Sequence, residues 1–520
     1  MEIVDNRAVL IKTRSPEKYA IIPKSKVVAE HPGGGYTVAV FWGLDEMRVL
    51  RNLGVKDAPS PIKRNYDWPG RYEPMGHQIE TAAFMTMHRR CFCFNEQGTG
   101  KTLSALWAAD YLMNRGEVRR VLVICPLSTM QSVWVGDINN SIIHRSAIVA
   151  HHSDALRRIE MIQGNYEFVI SNYEGIELIS RAINNDGRFD LIICDEANAY
   201  KNTQTDRWKA LASIVHPQTY LWMMTGTPAA QSPVDAYGLA KLVNPNGVPR
   251  FQTAWRDKVM RKITKFKWAP QEDARETVNE VLQPAIRFTK EQCLDLPPVV
   301  TEVRDVAMTA QQLKYYKLIK EQMLVQLAGV TITAVNAGVV VNKLLQISAG
   351  AVLSDGKEVV VFDSGPRLKT LMEIIEGTER KVLVFALFRS CIETIVQHLD
   401  KMGVVNAQIH GDVNQTKRGQ IINDFQNSPD VRVLVMQPYT TAHGITLTAA
   451  DTVVFYGPLM SVEMYLQCIA RSDRKGQTSD KVTVFHIQSS PVEIRLFKAM
   501  AAKVDDQALL VSMFESEMKI

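Results

Sequence analysis

The chain is 520 residues long, 46% hydrophobic and 22% charged, with a formal net charge of +5. That length exceeds one ordinary core and predicts two large domains plus a smaller piece, since domains usually hold about 100 to 200 residues, and the composition excludes a disordered chain. The mild charge leaves a polyanionic partner open and requires any basic surface to be local, while the lack of an apolar run of about 18 residues excludes a membrane-spanning helix.

Residues 1–65 alternate short β-like runs (YAIIP, VVAEH, YTVAVFW) around the turn HPGGGY, so a small β-rich module of unassigned role is expected. The opening MEIVDNRAVLIKTR has no apolar stretch of signal-peptide length, and a soluble cytoplasmic protein is expected. From 66 to 245, apolar strand-length runs (VLVICP, FVISNY, LIICDE, YLWMMTGTP) alternate with helix-length segments, the pattern of βαβ units around a buried parallel sheet. Residues 246–350 are helix-rich and more charged, and read as a helical connector or insertion. A second alternating set, KVLVFA, VRVLVM, TVVFYG and KVTVFHI, fills 351–520. The fold class is therefore α/β, with two tandem parallel-sheet lobes. Seven cysteines lie mostly in apolar runs, as buried thiols of a reducing compartment do; Cys91 with Cys93, and the doublet His151 and His152, read as packing in preference to metal ligands.

The strand-like CFCF leads into NEQGTGKT, residues 95–102, and then into the helix-like SALWAADYL. Such a loop wraps phosphates because Gly98 and Gly100, flanking Thr99, let backbone N–H groups converge at a helix N-terminus. Lys101 would reach the β and γ phosphates of ATP, and Thr102 would place its hydroxyl on Mg²⁺. Against GxxxxGK[ST], Asn95 replaces the first glycine. Downstream, LIICDEANAYKN carries the chain along an apolar strand and presents Asp195 and Glu196 at its carboxyl end, where ligand sites of open α/β sheets lie. Asp195 suits Mg²⁺, and Glu196 suits orientation or deprotonation of an attacking water.

NEQGTGKT, VLVICPLSTMQSVW, SNYE, DEANAYKN and MTGTP, followed by KVLVFALFRS, IHGDVNQTKRGQIINDF, AHGITLTAADTVVFYG and QCIARSDRKGQT, occur in the order of helicase superfamily 2. They resemble motifs I, Ia, Ic, II, III, IV, IVa, V and VI of its Swi/Snf branch of DNA-dependent ATPases, in a compact phage or bacterial form distantly like the annealing helicases. LTAAD followed by QxxxRxxRxGQ is the strongest branch marker. The resemblance implies two RecA-like lobes with ATP and Mg²⁺ as ligands. Gln78 then matches the glutamine that reads adenine, Gly444 the glycine near the ribose, and Gln467, Arg471 and Arg474 motif VI, whose arginines act as fingers reaching across the cleft between lobes. Thr225 and Thr227 match the motif III residues that couple the phosphate site to DNA. Asn198 stands where the family commonly has histidine, so coupling between ATP and DNA is expected to be altered more than hydrolysis.

By the same resemblance the partner is double-stranded or branched DNA, held through its phosphates without sequence reading. Ser128 and Thr129 of motif Ia and Thr446 of motif V are candidate contacts. The best local basic patch is WRDKVMRKITKFKW, residues 255–268, with Arg261 and Lys262 central, set against the plainer reading of a solvated face on a helix. Pro233 stands where annealing helicases often have proline. The expected protein is a monomeric ATP-dependent DNA translocase or remodeller. A strand-separating or branch-migrating helicase and an ATP-gated DNA-binding clamp with weakened hydrolysis remain alternatives.

Overall fold

The computed structural model describes the chain except residues 184–188, 227–231, 264–267, 294–296, 328–333, 354–358, 441–444, 475 and 503–520. It divides into two compact units, the first containing Met1–Ala229 and Pro233–Cys293 and the second the chain from Leu294 onward.

The first unit opens with an antiparallel sheet in the order Glu2–Val4, Ala8–Thr13, Gly35–Phe41, Ser25–His31. Its inward residues Val9, Ile11, Val38 and Val40, with Leu44, Met47 and Leu50 of the helix Leu44–Asn52, join the same apolar core as Leu106 and Trp107. Arg48 fastens this contact: Nη1 donates to Glu117 Oε2 at 2.7 Å, and Nη2 to the Thr86 carbonyl at 2.6 Å. The β-rich segment is thus one wall of the first unit.

The main sheet of this unit has seven strands, all parallel, in the order Ala285–Ile286, Arg90–Cys93, Tyr220–Met224, Leu191–Cys194, Val121–Ile124, Phe168–Ser171, Ala147–Val149. Alternate residues of each strand enter two separate cores. Val121, Val123, Leu191 and Ile193 pack on one face, and Leu122, Ile124, Ile192 and Cys194 on the other. Burial on both faces is why these strands read as continuous apolar runs.

The stretch 246–350, expected as one helical connector, is divided. The helix Gln252–Val259 packs fully buried Trp255 and Val259 into the first unit. Met260–Lys262 then pairs antiparallel with Trp268–Pro270, so the helix of the basic run stops at Val259 and Arg261 and Lys262 lie on a strand. Ala285–Ile286 extends the seven-stranded sheet beside Arg90–Cys93, whereas Val299–Asp305 is an edge strand of the second unit. Strands of two or three residues carry no readable period, and the partner of Ala285–Ile286 lies far away in the chain.

The second unit holds six parallel strands in the order Val299–Asp305, Val482–Gln488, Ala450–Phe455, Lys381–Phe385, Val433–Met436, Asn406–Ile409. Again alternate residues part, with Val382 and Val384 on one face and Leu383 and Phe385 on the other. Inside it, Arg367 Nη2 donates to both carboxylate oxygens of Glu493 at 2.8 and 2.7 Å, and Nη1 to the Tyr456 carbonyl at 2.5 Å. The Glu493 carboxylate beside it raises the Arg367 guanidinium above its ordinary value despite burial.

Candidate functional site

The strand Arg90–Cys93 and the 14-residue helix Lys101–Asn114 bracket the glycine-rich loop. Gly98 and Gly100 sit at φ 84° and 76°, the left-handed region that side chains rarely adopt. A Cβ at Gly100 would lie 2.1 Å from Gln78 Nε2 and would displace that amide. Lys101 is 9% exposed, and its ammonium donates to the Asn95 and Glu96 carbonyls at 2.8 and 3.2 Å. Thr99 is buried; its hydroxyl donates to the Glu96 carbonyl at 2.8 Å and its own carbonyl meets His77 Nε2 at 2.8 Å. Thr102 follows, half-buried, in the first helical turn. Gln78 is 2% exposed: Oε1 accepts from the Met75 N–H at 2.9 Å, and Nε2 reaches the Gly100 carbonyl at 3.4 Å.

Asn95, the departure from the glycine pattern, has a positive task. Its backbone is not left-handed, so glycine is not required there. Nδ2 donates to Thr81 Oγ1 at 2.8 Å while Oδ1 accepts from the Phe288 N–H at 3.0 Å, tying the loop to the preceding helix and to the segment after Ala285–Ile286.

Asp195 and Glu196 emerge from the carboxyl end of Leu191–Cys194, with Tyr220–Met224 lying between that strand and Arg90–Cys93. Asp195 Oδ2 accepts from Trp134 Nε1 at 3.2 Å, and Oδ1 from the Glu196 N–H at 3.1 Å. Burial pushes the Asp195 carboxyl up, and the Lys101 ammonium is the largest influence opposing that rise. Glu196 adopts φ 48° and ψ 57°, a conformation uncommon outside glycine and typical of functional turns. Gln97 Nε2 lies 3.5 Å from its Oε1. The Tyr173 hydroxyl donates to the Asp195 carbonyl at 2.9 Å. Asn198 is half-buried, its carbonyl accepting from the Lys201 N–H at 3.2 Å. Fully buried Thr225 donates its N–H to the Cys93 carbonyl at 3.0 Å, and a Cβ on Gly226 would touch Gln97 at 3.4 Å, so this strand exit abuts the glycine loop. Thr227 lies outside the described residues.

In the second unit the arginines of motif VI meet motif V. Gln467, 3% exposed on the helix Val462–Ile469, donates to Glu463 Oε1 at 3.4 Å. Arg471 and Arg474 both donate to the Ile445 carbonyl, at 3.4 and 3.3 Å, and Arg474 donates to Thr446 Oγ1 at 2.9 Å. Gly444 is outside the described residues.

The candidate DNA contacts fare differently. Ser128 is half-buried, while Thr129 is 4% exposed and its hydroxyl donates to the Pro126 carbonyl at 2.9 Å, closing a turn. Exposed Thr446 accepts from Arg474. Arg261 and Lys262 are exposed on the hairpin, where the Arg256 guanidinium stacks 4.4 Å from the Trp268 ring centre. Among the described residues, Trp134 and Tyr173 are site neighbours without a sequence signal of their own; both stand inside the motifs VLVICPLSTMQSVW and SNYE, yet a single aromatic there shows no visible task.

The SNF2-related domain matches residues 40–349, and the helicase conserved C-terminal domain residues 366–476. The chain belongs to the SNF2-related family. It is 23% identical over 487 residues to the mouse chromodomain-helicase-DNA-binding protein 1-like, covering 88% of this chain and 53% of that protein. It thus spans about half of that relative's length. A protein p41 of Acyrthosiphon pisum secondary endosymbiont phage 1 is 23% identical over 75% of this chain and 86% of its own. The solved SWI2/SNF2 ATPase core of Sulfolobus solfataricus in complex with double-stranded DNA aligns with 87% of this chain and 95% of its own, at 21% identity and a TM-score of 0.42.

Proposed function

We propose that this SNF2-related chain is an ATP-driven motor on double-stranded DNA, coupling ATP hydrolysis to translocation or remodelling. One observation carries the reading: a phosphate-type loop with two left-handed glycines sets a buried lysine within electrostatic reach of the half-buried Asp195 on the same sheet edge. Among the described residues no helix is long and apolar enough to cross a membrane. Similarity to a phage protein supports a bacterial or phage-infected cytoplasm as its setting.

Lys101 grips the terminal phosphates, exchanging two neutral carbonyls for charged oxygens. Gln78, at the entrance of the loop, meets the adenine edge. Thr102 and Asp195 would hold Mg²⁺, whose chemistry when bound is to neutralise phosphate charge. Glu196 orients the attacking water and takes its proton on a carboxylate oxygen. Arg471 and Arg474 supply finger charge that stabilises the transferred phosphoryl group, with Gln467 beside them. Ser128 and the cationic hairpin carrying Arg261 and Lys262 contact DNA phosphates.

The test is ATP turnover by the full chain with and without duplex DNA. Stimulation by DNA, and a loss of about 10²-fold or more in Lys101→Ala, is expected. Equal turnover with and without DNA would remove the motor reading, and duplex binding without turnover would leave an ATP-gated clamp. Release of the third strand of a triplex without opening a duplex would separate a translocase from a strand-separating helicase.

A further inference from the structure

We infer that Trp134 and Tyr173 are positioning residues that clamp the Asp195–Glu196 dipeptide, and that the Trp134 indole N–H sets how tightly the site takes a magnesium–nucleotide complex. The inference rests on the ATP-site reading above and assigns work to two residues outside the motif carboxylates and the glycine loop.

The clamp is built from two neighbouring strand exits. Val121–Ile124 is hydrogen-bonded to both Leu191–Cys194 and Phe168–Ser171, so the loops leaving the outer two strands and the one between them converge on one edge. After Val121–Ile124, Thr129 closes a turn on the Pro126 carbonyl, and the wide helical turn Met130–Val135 follows. Its Trp134 N–H reaches back five residues to the Thr129 carbonyl at 3.1 Å. The indole is fully buried in the core that contains Cys125, Met130, Ile138 and Ile142.

A tryptophan used only for bulk places its N–H on whatever acceptor is near. Here the acceptor is Asp195 Oδ2, at 3.2 Å, while Oδ1 takes the Glu196 N–H at 3.1 Å. One donor on each oxygen fixes the carboxylate plane, and each oxygen keeps further lone-pair capacity for a cation.

From the exit of Phe168–Ser171, Tyr173 approaches the other side of the dipeptide. Its hydroxyl meets the Asp195 carbonyl at 2.9 Å and the Glu196 carbonyl at 3.4 Å. Those are the peptide groups on either side of the Glu196 backbone at φ 48°. A left-handed glutamate persists only where its surroundings over-determine it, and a half-buried phenol bonded to both flanking carbonyls supplies that restraint. Trp134 therefore holds the direction of the metal-side carboxylate, and Tyr173 holds the turn that aims Glu196.

Trp134→Phe and Tyr173→Phe keep an aromatic ring and delete one donor each. On the full chain, binding of a fluorescent ATP analogue is titrated against Mg²⁺, with the Mg²⁺-free affinity and the melting temperature recorded alongside. Trp134→Phe is expected to raise the Mg²⁺ concentration at half-maximal binding about tenfold, the scale seen when partners of metal-holding groups are removed, with Mg²⁺-free affinity unchanged. Tyr173→Phe is expected to lower kcat about tenfold with nucleotide affinity within about twofold, because it disturbs the aim of Glu196 and leaves the phosphate grip alone. Trp134→Phe with an unshifted Mg²⁺ midpoint, or Tyr173→Phe with unaltered kcat, overturns its half of the clamp even if the melting temperature falls. Should Trp134→Phe fail to fold, Trp134→Met, which also lacks the indole donor, takes its place in the Mg²⁺ titration and is read by the same midpoint. A wild-type chain that binds the analogue without any Mg²⁺ dependence defeats the ATP-site reading and the clamp together, whereas a Mg²⁺-dependent wild type with unshifted variants defeats the clamp alone.

Discussion

The loop edge of the first unit and the motif V and VI surface of the second both seat cations on backbone carbonyls, whereas two cations of the interior sit against carboxylates. Lys101 rests on the carbonyls of Asn95 and Glu96, and Arg471 and Arg474 share the carbonyl of Ile445. Buried Arg367 instead faces Glu493, and Arg145 donates to fully buried Asp110 at 2.6 Å. A carboxylate neutralises its cation, whereas a carbonyl bonds it and leaves the charge available to an incoming anion. A carboxylate partner marks a charge already neutralised, while carbonyl partners occur away from the site as well, as buried Arg120 donates to the Tyr166 and Gly164 carbonyls at 2.7 Å. Where the two edges differ is in bracing: Asp195 and Asn95 are tied by groups from three other segments, at Trp134, Thr81 and Phe288, while Arg474 takes its hydroxyl partner from Thr446, within the adjoining motif V.

Three substitutions would break or sharpen that contrast. Arg474→Ala should cut DNA-stimulated kcat by about 10³-fold, the low end of the effect of removing an arginine finger, and leave the urea midpoint nearly unmoved. A loss below about tenfold in steady-state turnover would place Arg474 with the structural arginines. Arg367→Met should do the reverse, costing about 3–5 kcal/mol in urea denaturation because Glu493 is left buried without its cation. If Arg367→Met unfolds at the wild-type midpoint, the carboxylate-paired class loses its meaning. The smallest effect belongs to Asn95→Gly, which restores the usual loop pattern. It should cost about 1–2 kcal/mol, through the lost bonds to Thr81 and Phe288, with nucleotide affinity by fluorescence titration changed less than about twofold.

The apolar tetrads VLVI, LIIC and VLVM announced buried parallel strands because each is covered on both faces, and the glycine loop announced itself because two of its positions admit little else. The hairpin over 260–270 and the strand Ala285–Ile286 were not legible, being too short to show a period. The turn bond of Thr129 was not legible either, since nothing in one sequence says whether a threonine hydroxyl faces water or the Pro126 carbonyl.

What the chain determines by itself is chemistry that depends on neighbours in sequence: the loop NEQGTGKT, the paired carboxylates after an apolar strand, the arginine spacing of motif VI and the presence of two parallel sheets. Local geometry follows from a few adjacent residues, so it can be read from them. The tertiary structure alone decided which donor holds which acid. Trp134 lies 61 residues from Asp195 and Phe288 lies 193 from Asn95. Such pairs exist only because strand order in a parallel sheet brings distant strand exits to one edge.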